Sequence, residues 1–217
     1  MEFQAIRAVV FDLDGTLLDT IWDIAGAANQ ALRAFGLPEH PVERYRAYVG
    51  HGVRELFRQA LPEQNETAEK VLASYLAYYP EHCTDRTVFF PGIEDLLRRL
   101  RGRYTLGVLS NKTEKTARRI MAHYFAPDTF QLVWGNNGQR PLKPDPAAGP
   151  LLCETLGLAP EEILFFGDGD TDMEFANRCG FLPVACSWGY RSRAELEQAG
   201  ARVIVDRAEE LAALLQV

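Results

Sequence analysis

The stretch "VVFDLDGTLLDT", residues 9–20, sets three carboxylates, Asp12, Asp14 and Asp19, directly behind an apolar run. That run has the length and the Val and Phe content of a strand buried on both faces. Asp12 and Asp14 are two residues apart, so an extended backbone points them to the same side. Crowded carboxylates repel and raise a pKa unless a cation lies between them. Short acids also cap turns and helix starts, so the pair alone leaves both readings open. Asp19, nearer the start of a helix, reads as structural, held by the positive end of the helix dipole.

Outward from this stretch, short apolar runs recur at 6–11, 104–110, 131–134, 162–167, 182–187 and 202–206. Segments of helical spacing lie between them, such as Ile93, Leu96, Leu97 and Leu100, or Ala117, Ile120, Met121 and Tyr124. Another, at Leu151, Leu152, Thr155 and Leu156, stops at Gly157. Strand and helix in alternation imply a doubly wound parallel sheet with helices on both faces, a Rossmann-like α/β core. From Leu17 to about Val88 the rhythm breaks, and only helical faces are found: Ile21, Ile24, Ala28 and Leu32; Val53, Leu56, Phe57 and Ala60; Val71, Leu72, Tyr75, Leu76 and Tyr79. Punctuation at "GLPEHP" (36–41), "GHG" (50–52) and "LPEQN" (61–65) divides this region into about three or four helices. The expected organisation is therefore a core made of 1–16 and 88–217, with a helical bundle, 17–87, inserted between its first strand and the rest.

The 217 residues suffice for one full core plus a small insertion, and 47% hydrophobic with 24% charged residues is a globular mix. A formal charge of −7 argues against a nucleic-acid partner. No stretch approaches the roughly 20 apolar residues of a membrane span, and the first residues lack a signal-peptide pattern, so a cytoplasmic protein is expected. Cys83, Cys153, Cys179 and Cys186 show no C-x-x-C spacing, which predicts reduced thiols rather than a zinc site or redox pair. Composition leaves the oligomeric state open.

Two further strands end as the first does. "GVLS" runs into Ser110-Asn111-Lys112, and "LFF" into Gly167-Asp168-Gly169-Asp170. In a parallel sheet all carboxyl ends share one edge, where ligands bind, so these groups converge. Asp168 and Asp172 can then join Asp12 and Asp14 in an all-oxygen site, which suits magnesium. Ser110 is either a turn former or a hydrogen-bond donor to phosphate. Lys143, between Pro141 and Pro144 in "RPLKPDP", has a backbone restricted enough to aim its side chain.

Taken in order, "DLDGTLLD", "LSNK", "LKPDP" and "GDGDTD" resemble the four motifs of the haloacid dehalogenase superfamily, at matching intervals over essentially the whole chain. The resemblance implies that the helical insertion is a C1 cap closing over the active site. It implies magnesium as cofactor and a small phosphorylated metabolite as substrate. Asp12 resembles the nucleophile that becomes an aspartyl phosphate, and Asp14 the general acid and base, whose backbone carbonyl also faces the metal. Asp168 matches a side-chain metal ligand and Asp172 the acid that orients the metal and its waters. Ser110 and Lys143 match the residues that stabilise the transferring phosphoryl group.

An acid at Asp14 fits ester phosphatases and phosphomutases, not dehalogenases. Within the phosphatases, "GHGVRELF" (50–57) and "SWGYRS" (187–192) are similar to phosphoglycolate phosphatases. Gly50, His51, Gly52 and Arg54, with Asn111, are then candidate substrate contacts, Arg54 for a carboxylate such as that of 2-phosphoglycolate. Asn136 and Asn137 stand where many relatives carry acids, and Asp170 is an additional acid in the fourth motif, either a solvent-facing turn residue or part of the metal shell. Two alternatives remain at this level: a β-phosphoglucomutase-type phosphotransferase, and a receiver-like phospho-aspartate signalling module.

Overall fold

The computed structural model describes residues 2–61 and 63–217. Strand β1 (Ala8–Phe11) leads through a short β2 (Leu18–Asp19) into four helices, α1 (Ile21–Ala34), α2 (Val42–Tyr48), α3 (Val53–Ala60) and α4 (Glu66–His82). A short β3 (Val88–Phe89) returns the chain to α5 (Ile93–Leu100), β4 (Thr105–Thr113), α6 (Glu114–Tyr124) and β5 (Leu132–Asn136). Then follow α7 (Ala148–Leu156), β6 (Ile163–Gly167), α8 (Asp170–Cys179), β7 (Leu182–Cys186), α9 (Arg193–Gln198), β8 (Val203–Val205) and α10 (Ala208–Leu214).

Six strands form one parallel sheet in the order β5-β4-β1-β6-β7-β8. The strands read as unbroken apolar runs because both faces are covered. Val9, Phe11, Leu164 and Phe166 enter the larger hydrophobic cluster, with residues of α5, α6 and α10. Their neighbours Ala8, Val10, Ile163 and Phe165 enter the other, against α7 and α8. Connections leave β1 toward β4 on one side and later return to β6 on its other side, so the sheet's crevice opens beside the end of β1. Every expected strand is present.

The insertion differs from its sequence reading in one respect. Leu18–Asp19 and Val88–Phe89 pair antiparallel, where no strand was expected after Leu17. Two residues per strand are too few to leave a period in the sequence. A buried Asp23 strengthens this root: its carboxylate accepts from the backbone N–H of Arg86 and of Thr87 and from the Thr87 hydroxyl, at 2.8–3.0 Å. Asn65 caps α4 by accepting from the N–H groups of Thr67 and Ala68. The four cysteines are free thiols. Among the described residues, no helix is long and apolar enough to cross a membrane.

Candidate active site

Asp12 and Asp14 leave the end of β1, and both are buried. Gly15, at φ 83°, turns the chain immediately after them, and each carboxylate meets its own ammonium. Lys143 Nζ donates to Asp12 Oδ1 at 2.9 Å, to Asp172 Oδ1 at 2.7 Å and to the Leu109 carbonyl at 2.7 Å. Asp14 Oδ1 accepts from the Thr20 hydroxyl at 2.5 Å, while Oδ2 lies 3.1 Å from Lys112 Nζ. Thr20 is the N-cap of α1, yet its hydroxyl makes no cap bond and serves Asp14 instead. A local rule yields here to a site.

One group of acids is crowded. Ligand atoms of Asp12, Asp168 and Asp172 all fall within 4.8 Å of one another, and all three residues are buried. Burial, then the charges of Asp172 and Asp12, push the Asp168 carboxyl well above the ordinary carboxylate range, against the Tyr190 N–H and Thr16 hydroxyl that stabilise its charge. Burial also raises Asp172, with Lys143 pulling the other way. On Lys143 burial acts downward, but Asp12 and Asp172 outweigh it and its pKa lies above the usual value. Three carboxylates face one ammonium, so all three can be ionised together only if a further cation joins them. Oxygen donors without sulfur or imidazole, at this spacing, fit a hard divalent cation such as magnesium.

Asp168 is held by residues that the sequence reading did not select. Thr16 Oγ1 donates to its Oδ1 at 2.9 Å, and the Tyr190 N–H to its Oδ2 at 2.7 Å. Gly189 lets that segment come so near that a Cβ there would lie 2.1 Å from the Asp168 Cβ. The "SWGYRS" segment therefore supports an acid of the core. Tyr190 also donates through its hydroxyl to Asp19 Oδ1 at 3.1 Å, a partner that the helix-dipole reading of Asp19 did not include.

Asn111, a candidate substrate contact, lines the larger of the two hollows beside Asp12, and its side chain is engaged with backbone there. Its Nδ2 donates to the Gly50 and Lys143 carbonyls, each at 2.8 Å, and its Oδ1 accepts from the Lys143 N–H at 2.8 Å. It thereby fixes the backbone that aims Lys143. Asn136 and Asn137 accept from N–H groups two or three residues on and shape the loop leading to Lys143.

Two hollows flank Asp12 and Asp14. One of about 580 Å³ is lined by both acids, Ser110 and Lys112 from the core and by residues of the insertion such as Leu56, Tyr75 and Tyr79. The other, about 230 Å³, holds Asp168 and Asp172 with Tyr190 and Arg191. Gly50 lines both and Gly52 the first. Arg54 lines neither: three-quarters exposed, it pairs with Glu69 on the insertion's outer surface. His51 also turns away from the larger hollow, its Nε2 lying 3.1 Å from Asp170 Oδ2. Asp170 is thus neither a solvent-facing turn residue nor a member of the acid cluster. Its Oδ1 accepts from Arg191, which donates also to the carbonyls of Arg46 and Val49, so Asp170 joins core to insertion. The hydrogen bond from His51 holds the Asp170 carboxyl at about 2, against burial.

The same arrangement of chain is found in known proteins. The haloacid dehalogenase-like hydrolase model matches residues 9–185. The phosphoglycolate phosphatase of Chromobacterium violaceum is 33% identical over 100% of this chain and 99% of its own length. A crystal structure from Lactobacillus delbrueckii subsp. bulgaricus superposes with a TM-score of 0.89 at 30% identity, covering 97% of this chain and 99% of the other. A haloacid dehalogenase-like hydrolase from Streptococcus pneumoniae gives 0.88 at 26% identity, over 97% and 98%. By these matches the chain belongs to the haloacid dehalogenase-like hydrolase family, as a phosphoric monoester hydrolase that resembles that family's phosphoglycolate phosphatases.

Proposed function

We propose that the protein is a magnesium-dependent phosphatase that hydrolyses 2-phosphoglycolate through an aspartyl phosphate on Asp12. The observation that carries the mechanism is the position of Asp12, held by Lys143 on one oxygen and set between an acid cluster and a hollow large enough for a small ester. The substrate rests on the likeness to phosphoglycolate phosphatases.

Lys143 fixes Oδ1 of Asp12, so Oδ2 can turn to phosphorus. The Asp12 oxygen–phosphorus bond forms as the bond to the glycolate oxygen breaks, and Asp14 gives that oxygen its proton. Thr20 and Lys112 keep the Asp14 carboxyl aimed into the larger hollow. In the second half, Asp14 takes a proton from water as the water oxygen bonds to phosphorus and the Asp12 carboxylate departs. Ser110, buried at the hollow's wall, donates its hydroxyl to a phosphoryl oxygen. Magnesium held by Asp12 and Asp168, with Asp172 and the Asp14 carbonyl beside it, would supply neutralising charge to the phosphoryl oxygens. The helical insertion acts as the cap that excludes bulk water from the larger hollow.

The test is phosphate release from a panel of small esters, including 2-phosphoglycolate and β-glucose 1-phosphate, with magnesium and with chelator. Magnesium-dependent turnover favouring 2-phosphoglycolate is expected. Sugar-directed transfer of the phosphoryl group would replace the substrate with a phosphomutase reaction, and a phospho-aspartate that persists without turnover would discard hydrolysis.

A further inference from the structure

Lys112 was given no role in the motif-based site, yet its side chain is only 6% exposed. It comes at the end of β4, where the strand's last residues pass beneath the insertion. Its ammonium donates to the Tyr79 hydroxyl at 2.9 Å, stands 4.6 Å from the centre of that ring, and lies 3.1 Å from Asp14 Oδ2. A lysine ammonium has three hydrogens to donate, and these partners use two. Among the described residues that line the larger hollow, Lys112 is the one lysine or arginine. Lys143 spends its own three hydrogens on Asp12, Asp172 and Leu109.

Resting on the 2-phosphoglycolate reading, we propose that Lys112 binds the carboxylate of the substrate's leaving group and so makes the enzyme selective for esters with an anion beside the ester oxygen. The ester oxygen must come within about 2.6–3.2 Å of Asp14 to receive a proton. In 2-phosphoglycolate a single methylene separates that oxygen from the carboxylate. A cation hydrogen-bonded to the same Asp14 carboxylate therefore stands where the second anion of the substrate arrives. The opposite wall offers Leu56, Tyr75 and Tyr79, and a carboxylate buried against such groups costs several kcal/mol unless it is paired. Lys112 is the pair within reach. Tyr79, from α4, holds the ammonium in place, so the insertion takes part in choosing the substrate.

The test compares kcat/KM for 2-phosphoglycolate with that for ethyl phosphate, the same ester with a methyl group in place of the carboxylate. In the wild type the ratio is expected to favour 2-phosphoglycolate strongly. Lys112→Met should lower the ratio by roughly 10–100-fold, the worth of a charge-assisted hydrogen bond, mainly through KM for 2-phosphoglycolate. Tyr79→Phe, which keeps the ring and frees the ammonium, should lower it a few-fold and gives the same reading if Lys112→Met does not fold. An active wild type with no preference between the esters would remove the substrate reading and the proposal with it. A wild-type preference that survives both substitutions, or rates that fall equally for both esters, would overturn the role of Lys112 alone.

Discussion

The two hollows on either side of Asp12 are built by different parts of the chain. Most of the smaller one is core: Asp168 directly follows β6, Asp172 lies in α8, and Tyr190 and Arg191 lie in the segment after β7. The larger one is half insertion, with Leu56 of α3 and Tyr75 and Tyr79 of α4 facing Ser110 and Lys112 of β4. Acids dominate the first, apolar walls with one ammonium the second. The difference teaches where the reaction and the choice of substrate reside. Strand ends in one hydrogen-bonded sheet cannot shift separately, so groups that must keep a fixed spacing belong there. Helices outside the sheet can vary without disturbing that spacing, and on the proposal above they meet the part of the substrate that distinguishes one ester from another.

Substituting Asp12 should break the comparison most severely, because it belongs to both hollows. Asp12→Asn removes the proposed nucleophile, and turnover should fall by about 10⁴-fold or more. The fold should survive, since the change takes one like charge away from Asp168 and Asp172 and leaves Lys143 paired with Asp172. Phosphate release and a thermal melt without magnesium measure the two effects. A variant that melts normally and keeps wild-type turnover would move the nucleophile to another residue.

A pair of glycines sharpens the assignment of the acid hollow. A methyl group at Gly189 would meet Asp168 Cβ at 2.1 Å and Oδ2 at 2.3 Å, so Gly189→Ala must displace the carboxylate or the segment that holds it. Metal affinity or activity should drop by about 10–100-fold, as it does when a ligand's supporting partner is lost. Gly26, within α1 of the insertion, has nothing within 4 Å of the same added atom. Gly26→Ala should leave activity unchanged and stabilise by about 0.5–1 kcal/mol through helix propensity. Magnesium titrations and melts of both variants decide the matter. Equal losses at the two positions would mean that Gly189 is not specifically a support of Asp168.

The core was legible because its signals are local. Apolar runs mark strands buried on both faces, and Asp12 and Asp168 directly follow strands while Ser110 lies in β4 just past its pairing with β1, so topology alone gathers them. Lys143 lies on the loop between β5 and α7, and only a motif could point to it. The two-residue strands of the insertion's root carry no period at all. Nothing local marks Lys112, because what encloses its side chain includes Tyr79, 33 residues earlier on another element. Arg54 was the opposite case, and the sequence already spoke against it. Val53, Leu56, Phe57 and Ala60 define the inward face of α3, and at about 100° per residue Arg54 stands well round from that face. The structure shows it exposed beside Glu69.

His51 offers the smallest and most discriminating effect, because its two readings predict different measurements. As a substrate contact it would control KM. As part of the junction with Asp170 it should control stability instead. Asp170 raises the His51 pKa by accepting its hydrogen bond, burial opposes this, and of the other charges facing the ring Arg191 lowers it and Glu55 raises it. A histidine whose folded value is raised stabilises fully below the ordinary value of about 6.5 and loses that contribution as pH rises through the raised one. Asp170, at about 2, stays ionised over this window. The melting temperature of His51→Ala should therefore lie below that of the wild type near pH 5.5 and approach it near pH 8.5, the pair's worth being at most about 1 kcal/mol because both side chains are partly in solvent. Arg191, which also binds two carbonyls of the insertion, keeps the junction closed when the histidine is neutral or absent. A His51→Ala variant with an unchanged melt and a raised KM for 2-phosphoglycolate would return His51 to the substrate side and erase the boundary drawn between the two hollows.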